Sequence, residues 1–130
     1  MIYTDNAEYK VYCYQNSNTK HVPVLSYIQQ LPAKDKVKIS AYISFLRNQK
    51  GHINEPYGRY VCFGIRELRV EFSHNNHRIF YITIEEKKII LLHAFLKKTR
   101  KTPKREIEHA LNNFKDYQLY KNSIEYEEET

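Results

Sequence analysis

The sequence holds no tryptophan, one methionine, three glycines, four prolines and two cysteines. Cys13 and Cys62 stand far apart, in neither a metal-ligand nor a redox spacing, and read as two reduced thiols of a cytosolic protein. Long hydrophobic runs are also missing. The longest, Ile89 to Leu92 and on through Ala94–Leu96, is too short to span a bilayer. No cationic stretch leads into an apolar segment at the amino end, so no signal peptide is evident. A soluble, cytoplasmic protein without a membrane partner is expected. Internal repeats and low-complexity linkers are lacking. So is a helix-turn-helix pattern, which argues against direct DNA binding.

A chain of 130 residues is long enough for one core and not for two. Residues 1–121 are read as a single domain and 122–130 as an acidic tail, with four carboxylates within Glu125-Tyr126-Glu127-Glu128-Glu129. The tail reads as a solvated terminus, or as a nucleic-acid mimic turned toward the chain's own basic site. Aromatics at 14% and charged residues at 28% fit a globular protein. A net charge of +6 favours polyanionic partners. The excess is concentrated in Lys97, Lys98, Arg100, Lys101, Lys104 and Arg105, with no acid among them. Thr102-Pro103 predicts a helix start inside this cluster, Thr as its cap and Pro in the first turn. Cations there oppose the helix dipole by roughly 0.3–1 kcal/mol each, so local stability does not explain them. An anionic partner does, with phosphate the commonest at such a position. A plain solvated basic face is the competing reading.

The apolar spacing predicts a strand over Lys10–Gln15 and a helix from Val22 to Leu31, stopped by Pro32. A second helix runs from Lys34 to Asn48, with Val37, Ile39, Ala41, Tyr42, Ile43, Phe45 and Leu46 as its apolar side and Gly51 closing it. Residues 51–64, holding all three glycines and Pro56, read as the longest loop. Three strands follow, Ile65–Phe72, His77–Glu85 and Lys88–Lys98, joined by short turns at Asn75-Asn76 and Glu86-Lys87 into an antiparallel meander. A last helix from Pro103 to Tyr120 buries Ile107, Ala110, Leu111, Phe114 and Tyr117. The expected class is α+β, in the order β-α-α-β-β-β-α, with helices packed on an antiparallel sheet.

Strand alternation puts Leu68, Val70 and Phe72 on one face, and Glu67, Arg69 and Glu71 on the other. It likewise separates Leu92, Ala94 and Leu96 from His93, Phe95 and Lys97. With the apolar faces under helices, Glu67, Arg69, His93, Phe95 and Lys97 converge on an open face, where cations hold phosphate and the ring stacks a base. Arg78 and Tyr81 have opposite parity, so only one of them points straight at this face unless a bulge re-aims the other. Each residue also has a structural reading. Arg69 between two glutamates fits a charge-laddered surface, His93 in an apolar run fits a satisfied, half-buried histidine, and Tyr81 fits the core. His74 and His77 flank a turn with no third ligand nearby, and no metal is expected.

Several pieces, in order, closely resemble the phage-derived branch of the RelE/HigB toxins of bacterial toxin–antitoxin pairs. They are Glu67-Leu68-Arg69, then Arg78-Ile79-Phe80-Tyr81, then Ile90-Leu91-Leu92-His93-Ala94-Phe95-Leu96-Lys97-Lys98, then Thr102-Pro103 with Glu106-Ile107 and Ala110. Pro23-Val24 and Leu31-Pro32 fit the same pattern, so the resemblance covers about residues 8–117. It implies a compact RelE-like domain and a ribosome-dependent endoribonuclease that cuts messenger RNA without a cofactor. It also implies silencing by a cognate antitoxin, a small helix-turn-helix protein through which alone the toxin reaches operator DNA. Carried over, Arg69 and Arg78 hold substrate phosphate, Lys97 and Lys98 lie near the scissile group, and Tyr81 is a further candidate. Arg66, Phe95, Arg100, Lys101, Lys104 and Arg105 are the expected RNA contacts. The chain departs from the best-known RelE enzymes in having Glu67 for a lysine and Ile107 for a tyrosine. Glu67 or His93 then remains for the general base, and Lys97 or Lys98 for the acid. The competing reading is a non-catalytic toxin of the same fold that grips the ribosome or a protein such as a topoisomerase.

Overall fold

The computed structural model describes residues 8–127. Along the chain lie β1 (Lys10–Tyr14), α1 (Pro23–Gln29), α2 (Ala33–Asn48), β2 (Gly58–Cys62), β3 (Ile65–Phe72), β4 (Asn75–Ile84), β5 (Lys88–Leu96), α3 (Lys104–Tyr120) and β6 (Ser123–Glu125). The α+β class holds, and the expected order is recovered with two additions. One is β2, inside the stretch read as a loop. The other is β6, inside the acidic tail, whose residues 128–130 lie outside the described residues. The chain stays on the domain past residue 122: Ser123–Glu125 pairs antiparallel with β1, and Tyr126 is buried.

The strands form one sheet in the order β2-β3-β4-β5-β1-β6. The segment β2 to β5 is the expected antiparallel meander. Its tight turns, Phe63-Gly64, Ser73-His74 and Glu86-Lys87, all sit at positive φ, matching the twist of the strands they join. The β3–β4 turn therefore falls two residues before Asn75-Asn76, which instead pair with Glu71 and Phe72. The sheet as a whole is mixed, because β1 runs parallel to β5, Lys10 opposite Lys88 and Cys13 opposite Leu91. A parallel pair needs a long crossover, which α1, α2 and the meander supply. It is also buried on both faces, as the unbroken apolar run Ile89–Leu92 requires.

Helices cover both faces of this sheet. Under α1 and α2 lies a core of Val24, Ile28, Ile39, Ile43 and Leu46 against Val11, Leu68, Val70, Ile79 and Leu91. Under α3 lies a second core, with Ala110 and Tyr117 buried and Ile107, Leu111 and Phe114 packed against Phe80, Ile90 and Leu92. The apolar side predicted for α2 divides in two. Ile39, Ile43 and Leu46 face inward, whereas Val37, Ala41 and Phe45 are exposed. Residues 37, 41 and 45 follow one another at four-residue steps and form a separate stripe. No helix among the described residues is long and apolar enough to cross a membrane.

Gly58 opens β2 opposite Leu68 of β3, with no room for a side chain. A Cβ there would lie 2.6 Å from the Ile53 side chain and 2.7 Å from the Glu67 carbonyl oxygen. Gly58→Ala is expected to cost roughly 1–3 kcal/mol by forcing the strands apart. Urea unfolding followed by tyrosine fluorescence measures it, and an unchanged midpoint would show that β2 is free to slide.

Candidate functional site

On β3 the alternation holds: Leu68 and Val70 enter the core under α1 and α2, and Glu67, Arg69 and Glu71 take the other face. The register sets Arg59 of β2 opposite Glu67, and Arg78 of β4 opposite Arg69. One carboxylate thereby lies among three guanidinium groups. Oε2 of Glu67 is 2.8 Å from Arg69 Nε, 3.5 Å from Arg59 Nε and 3.8 Å from Arg78 Nε. Arg78 also donates from Nη2 to Glu71 at 2.9 Å and from Nη1 to the His77 carbonyl at 3.1 Å. Glu67 is 1% exposed and Arg78 4%, yet among the described residues Oε1 of the first and Nε of the second have no hydrogen-bond partner. Buried polar atoms left unpaired cost stability, and both of these can take a further hydrogen-bond partner.

Lys97 completes the group. Its backbone N–H donates to the Asn76 carbonyl, continuing the β4–β5 pairing past Leu96, and its ammonium donates to the Arg100 carbonyl at 2.8 Å. Burial lowers its pKa first and the nearby Arg78 next, while Glu67 opposes the shift. A lysine surrendering its proton more readily than usual suits a proton donor. Lys98, Arg100, Lys101, Lys104 and Arg105 are all exposed, on the segment leading into α3 or on its first residues. Thr102 does not cap α3. The N-cap position is Pro103, which has no side chain able to cap, and the Thr102 hydroxyl is buried without a partner among the described residues.

Four predicted site residues lie elsewhere or are covered. Tyr81 is on the opposite face, fully buried, its hydroxyl donating to the Gly51 carbonyl at 2.8 Å. Arg66, also of the other parity, donates to the Ile53 carbonyl at 2.6 Å and ties down the segment before β2. His93 and Phe95 share the Glu67 face but lie under α3, where an open face was expected. His93 Nε2 is 2.7 Å from Glu106 of α3, and burial lowers its pKa with Glu106 opposing. Phe95, 6% exposed, stacks on His93 with 5.9 Å between ring centroids. The expected separation of Leu92 from His93 fails because β5 carries a bulge. Phe80 pairs with His93 and Tyr81 with Leu91, so Leu92 is an extra residue and parity inverts across it. Leu92 accordingly packs under α3 with Phe95, while Ala94 joins the other core. His74 and His77 form no pair either, since the two ring nitrogens of His77 meet Asp35 and Tyr27.

The assembled group is Arg59, Arg69, Arg78 and Lys97 around Glu67 and Glu71. Arg59 escapes a reading by sequence because β2 opens on Gly58, two residues after Pro56. Its one signal is the β-prone run Tyr60-Val61-Cys62 ahead of Phe63-Gly64. Four cations against two carboxylates leave an excess of positive charge on this face of the sheet. Arg59 and Arg69 meet Glu67 through Nε, and guanidinium groups held that way can offer their Nη donors to a tetrahedral oxyanion.

Fold and site together define a class: a small α+β domain with an arginine-lined, anion-receptive sheet face. The chain belongs to the family of phage-derived Gp49-like proteins (DUF891), a toxin-like family related to RelE, whose pattern matches residues 26–115. That span takes in Arg59, Glu67, Arg69, Arg78 and Lys97. No curated protein matches the chain.

Proposed function

We propose that the chain is the toxin of a toxin–antitoxin pair and a ribosome-dependent endoribonuclease that cuts messenger RNA in the cytoplasm. The observation that carries this reading is the Glu67 carboxylate held among Arg59, Arg69 and Arg78 with Lys97 beside it. An incoming phosphate competes with Glu67 for the arginines. As Arg69 and Arg78 turn to it, Glu67 loses its counter-ions and becomes free to take the proton of the ribose 2′-hydroxyl. The 2′-oxygen then attacks the adjacent phosphorus, the arginines stabilise the charge that builds on the phosphorane, and Lys97 protonates the leaving 5′-oxygen. The products are a 2′,3′-cyclic phosphate and a 5′-hydroxyl, and the arginines supply the charge stabilisation without a metal. Lys98, Arg100, Lys101, Lys104 and Arg105 supply sequence-independent grip on the ribosome and message, weakening with salt. A small helix-turn-helix antitoxin is the expected inhibitor and the only route to operator DNA.

One observation favours a second reading. The Glu67 carboxylate is ringed by three arginines through Oε2 and His93 is bonded to Glu106, so neither base candidate is without partners. A toxin that grips the ribosome or a protein target without cutting fits that resting state. Primer extension on message from expressing cells separates the two. Discrete cuts within translated codons are expected from the enzyme, whereas growth arrest with intact message would leave the binder.

A further inference from the structure

The outward stripe of α2 is not part of the arginine site and is not needed by either core. Ala33, Val37, Ala41 and Phe45 line two adjoining hollows of about 510 and 310 Å³ that share Ala41. Phe72 walls the first and Tyr57 the second. Val37 is 55% exposed, Tyr57 46% and Phe45 38%, a continuous apolar strip along a helix of 16 residues. Isolated exposed apolar residues are ordinary, but a contiguous strip with a charged rim marks an interaction surface. The rim has one sign. Lys34 and Lys38 flank the first hollow, Lys38 lying over the Phe72 ring at 5.5 Å. The single acid of α2, Asp35, is buried against His77 and offers no charge to the surface.

We propose that this groove docks an acidic amphipathic helix of a partner protein, and that docking acts on the arginine site through Tyr57. Apolar residues of that helix at three- and four-residue spacing fill the two hollows, and its carboxylates meet Lys34 and Lys38. Charge selects against a basic helix, and against a second copy of α2, whose exposed ionic groups are cations like those of the rim. The link to the site is covalent and short. Tyr57 packs edge-on against Phe45 and Tyr42, its carbonyl accepts the Arg69 N–H at 2.8 Å, and two residues later Arg59 reaches Glu67. A helix that displaces Tyr57 therefore shifts β2 and withdraws Arg59. The regulatory half of the proposal rests on the toxin reading above, in which such a partner is the inhibitor. The docking half does not.

The test uses the full chain, ¹⁵N-labelled, and two synthetic helical peptides matching α2 in length, with the same apolar stripe and either glutamate or lysine flanks. The acidic peptide is expected to shift the amides of Val37, Ala41, Phe45 and Tyr57 and the Arg59 Nε–Hε resonance. Val37→Glu and Lys34→Glu/Lys38→Glu variants are each expected to weaken it by about tenfold or more. The proposal is overturned if the acidic peptide binds no tighter than the basic one, if the shifts map to Arg69 and Arg78 instead, or if neither peptide binds. Shifts at Val37 with none at Arg59 overturn the regulatory half. Because no message or ribosome is present, a failure of RNA cleavage leaves these outcomes unaffected.

Discussion

Arg69→Ala and Arg78→Ala are each expected to lower cleavage of ribosome-bound message by on the order of 100- to 1,000-fold, the usual cost of losing one preorganised donor at a charged transition state. The two should differ in stability. Arg69 is about one-fifth exposed but its partner Glu67 is buried, so its loss leaves the carboxylate with only Arg59 at 3.5 Å and Arg78 at 3.8 Å and should cost about 1–2 kcal/mol. Arg78 is buried and holds Glu71, the His77 carbonyl and the approach to Glu67. Its removal should cost about 1–3 kcal/mol in addition, since buried groups lose their partner. Urea unfolding separates the two effects, and cleavage is read by primer extension with purified protein and programmed ribosomes. Arg69→Lys keeps the charge but not the paired donors, and should recover only part of the rate. A folded Arg69→Ala protein that cuts within about tenfold of the parent would remove this cluster from catalysis.

How much of this site is legible in the sequence depends on where the local rules hold. On β3 they hold throughout. Ile65–Phe72 is a regular strand, and alternation alone places Glu67 and Arg69 together and Leu68 and Val70 opposite. On β5 the same rule fails at one residue, because nothing in Ile90-Leu91-Leu92-His93 announces a bulge. Both leucines are apolar, and tertiary packing decides which core each enters. Arg59 is illegible for another reason. Gly58 is required by the close approach of Ile53 and the Glu67 carbonyl, and a glycine near a proline reads as loop however regular the following strand is. The cover over His93 and Phe95 is likewise a topological fact. α3 returns across the face that two other helices leave open, and strand patterning carries no information on that. On α2, an apolar stripe facing out cannot be told from one facing in by period alone, since both repeat at helical spacing. Only the neighbours, buried Ile39 and Ile43 against open Val37 and Ala41, distinguish them.

The largest effect on stability is expected away from the arginines, at Asp35. This residue lies in the first turn of α2, where a carboxylate also suits the helix dipole. Its Oδ2 accepts from His77 Nε2 at 2.7 Å and from Asn75 Nδ2 at 3.1 Å, while the Tyr27 hydroxyl lies 2.7 Å from His77 Nδ1. With His77 neutral, the chain of donors runs from Tyr27 to His77 to Asp35 and joins α1, α2 and β4 at one buried point. Asp35→Ala should cost about 2–4 kcal/mol, because the buried His77 N–H and the Asn75 amide both lose their acceptor. Asp35→Asn, which keeps an acceptor oxygen, should cost less. The pH dependence has a definite sign. The His77 hydrogen bond, helped by Asn75 and opposed by burial, holds the Asp35 carboxyl below its ordinary value of 3.8. A carboxylate depressed in the folded state gives stability that is complete above that value and fades as pH falls through the lower folded one. Asp116 is depressed as well, chiefly by the Ser17 hydroxyl and then by Tyr14, and titrates in the same direction. Unfolding free energies of the parent, Asp35→Asn, Asp116→Asn and the double variant, taken from pH 7 to the acid limit, apportion the loss. Parent and Asp35→Asn curves that stay parallel below pH 4 would show that His77 does not hold the charged form.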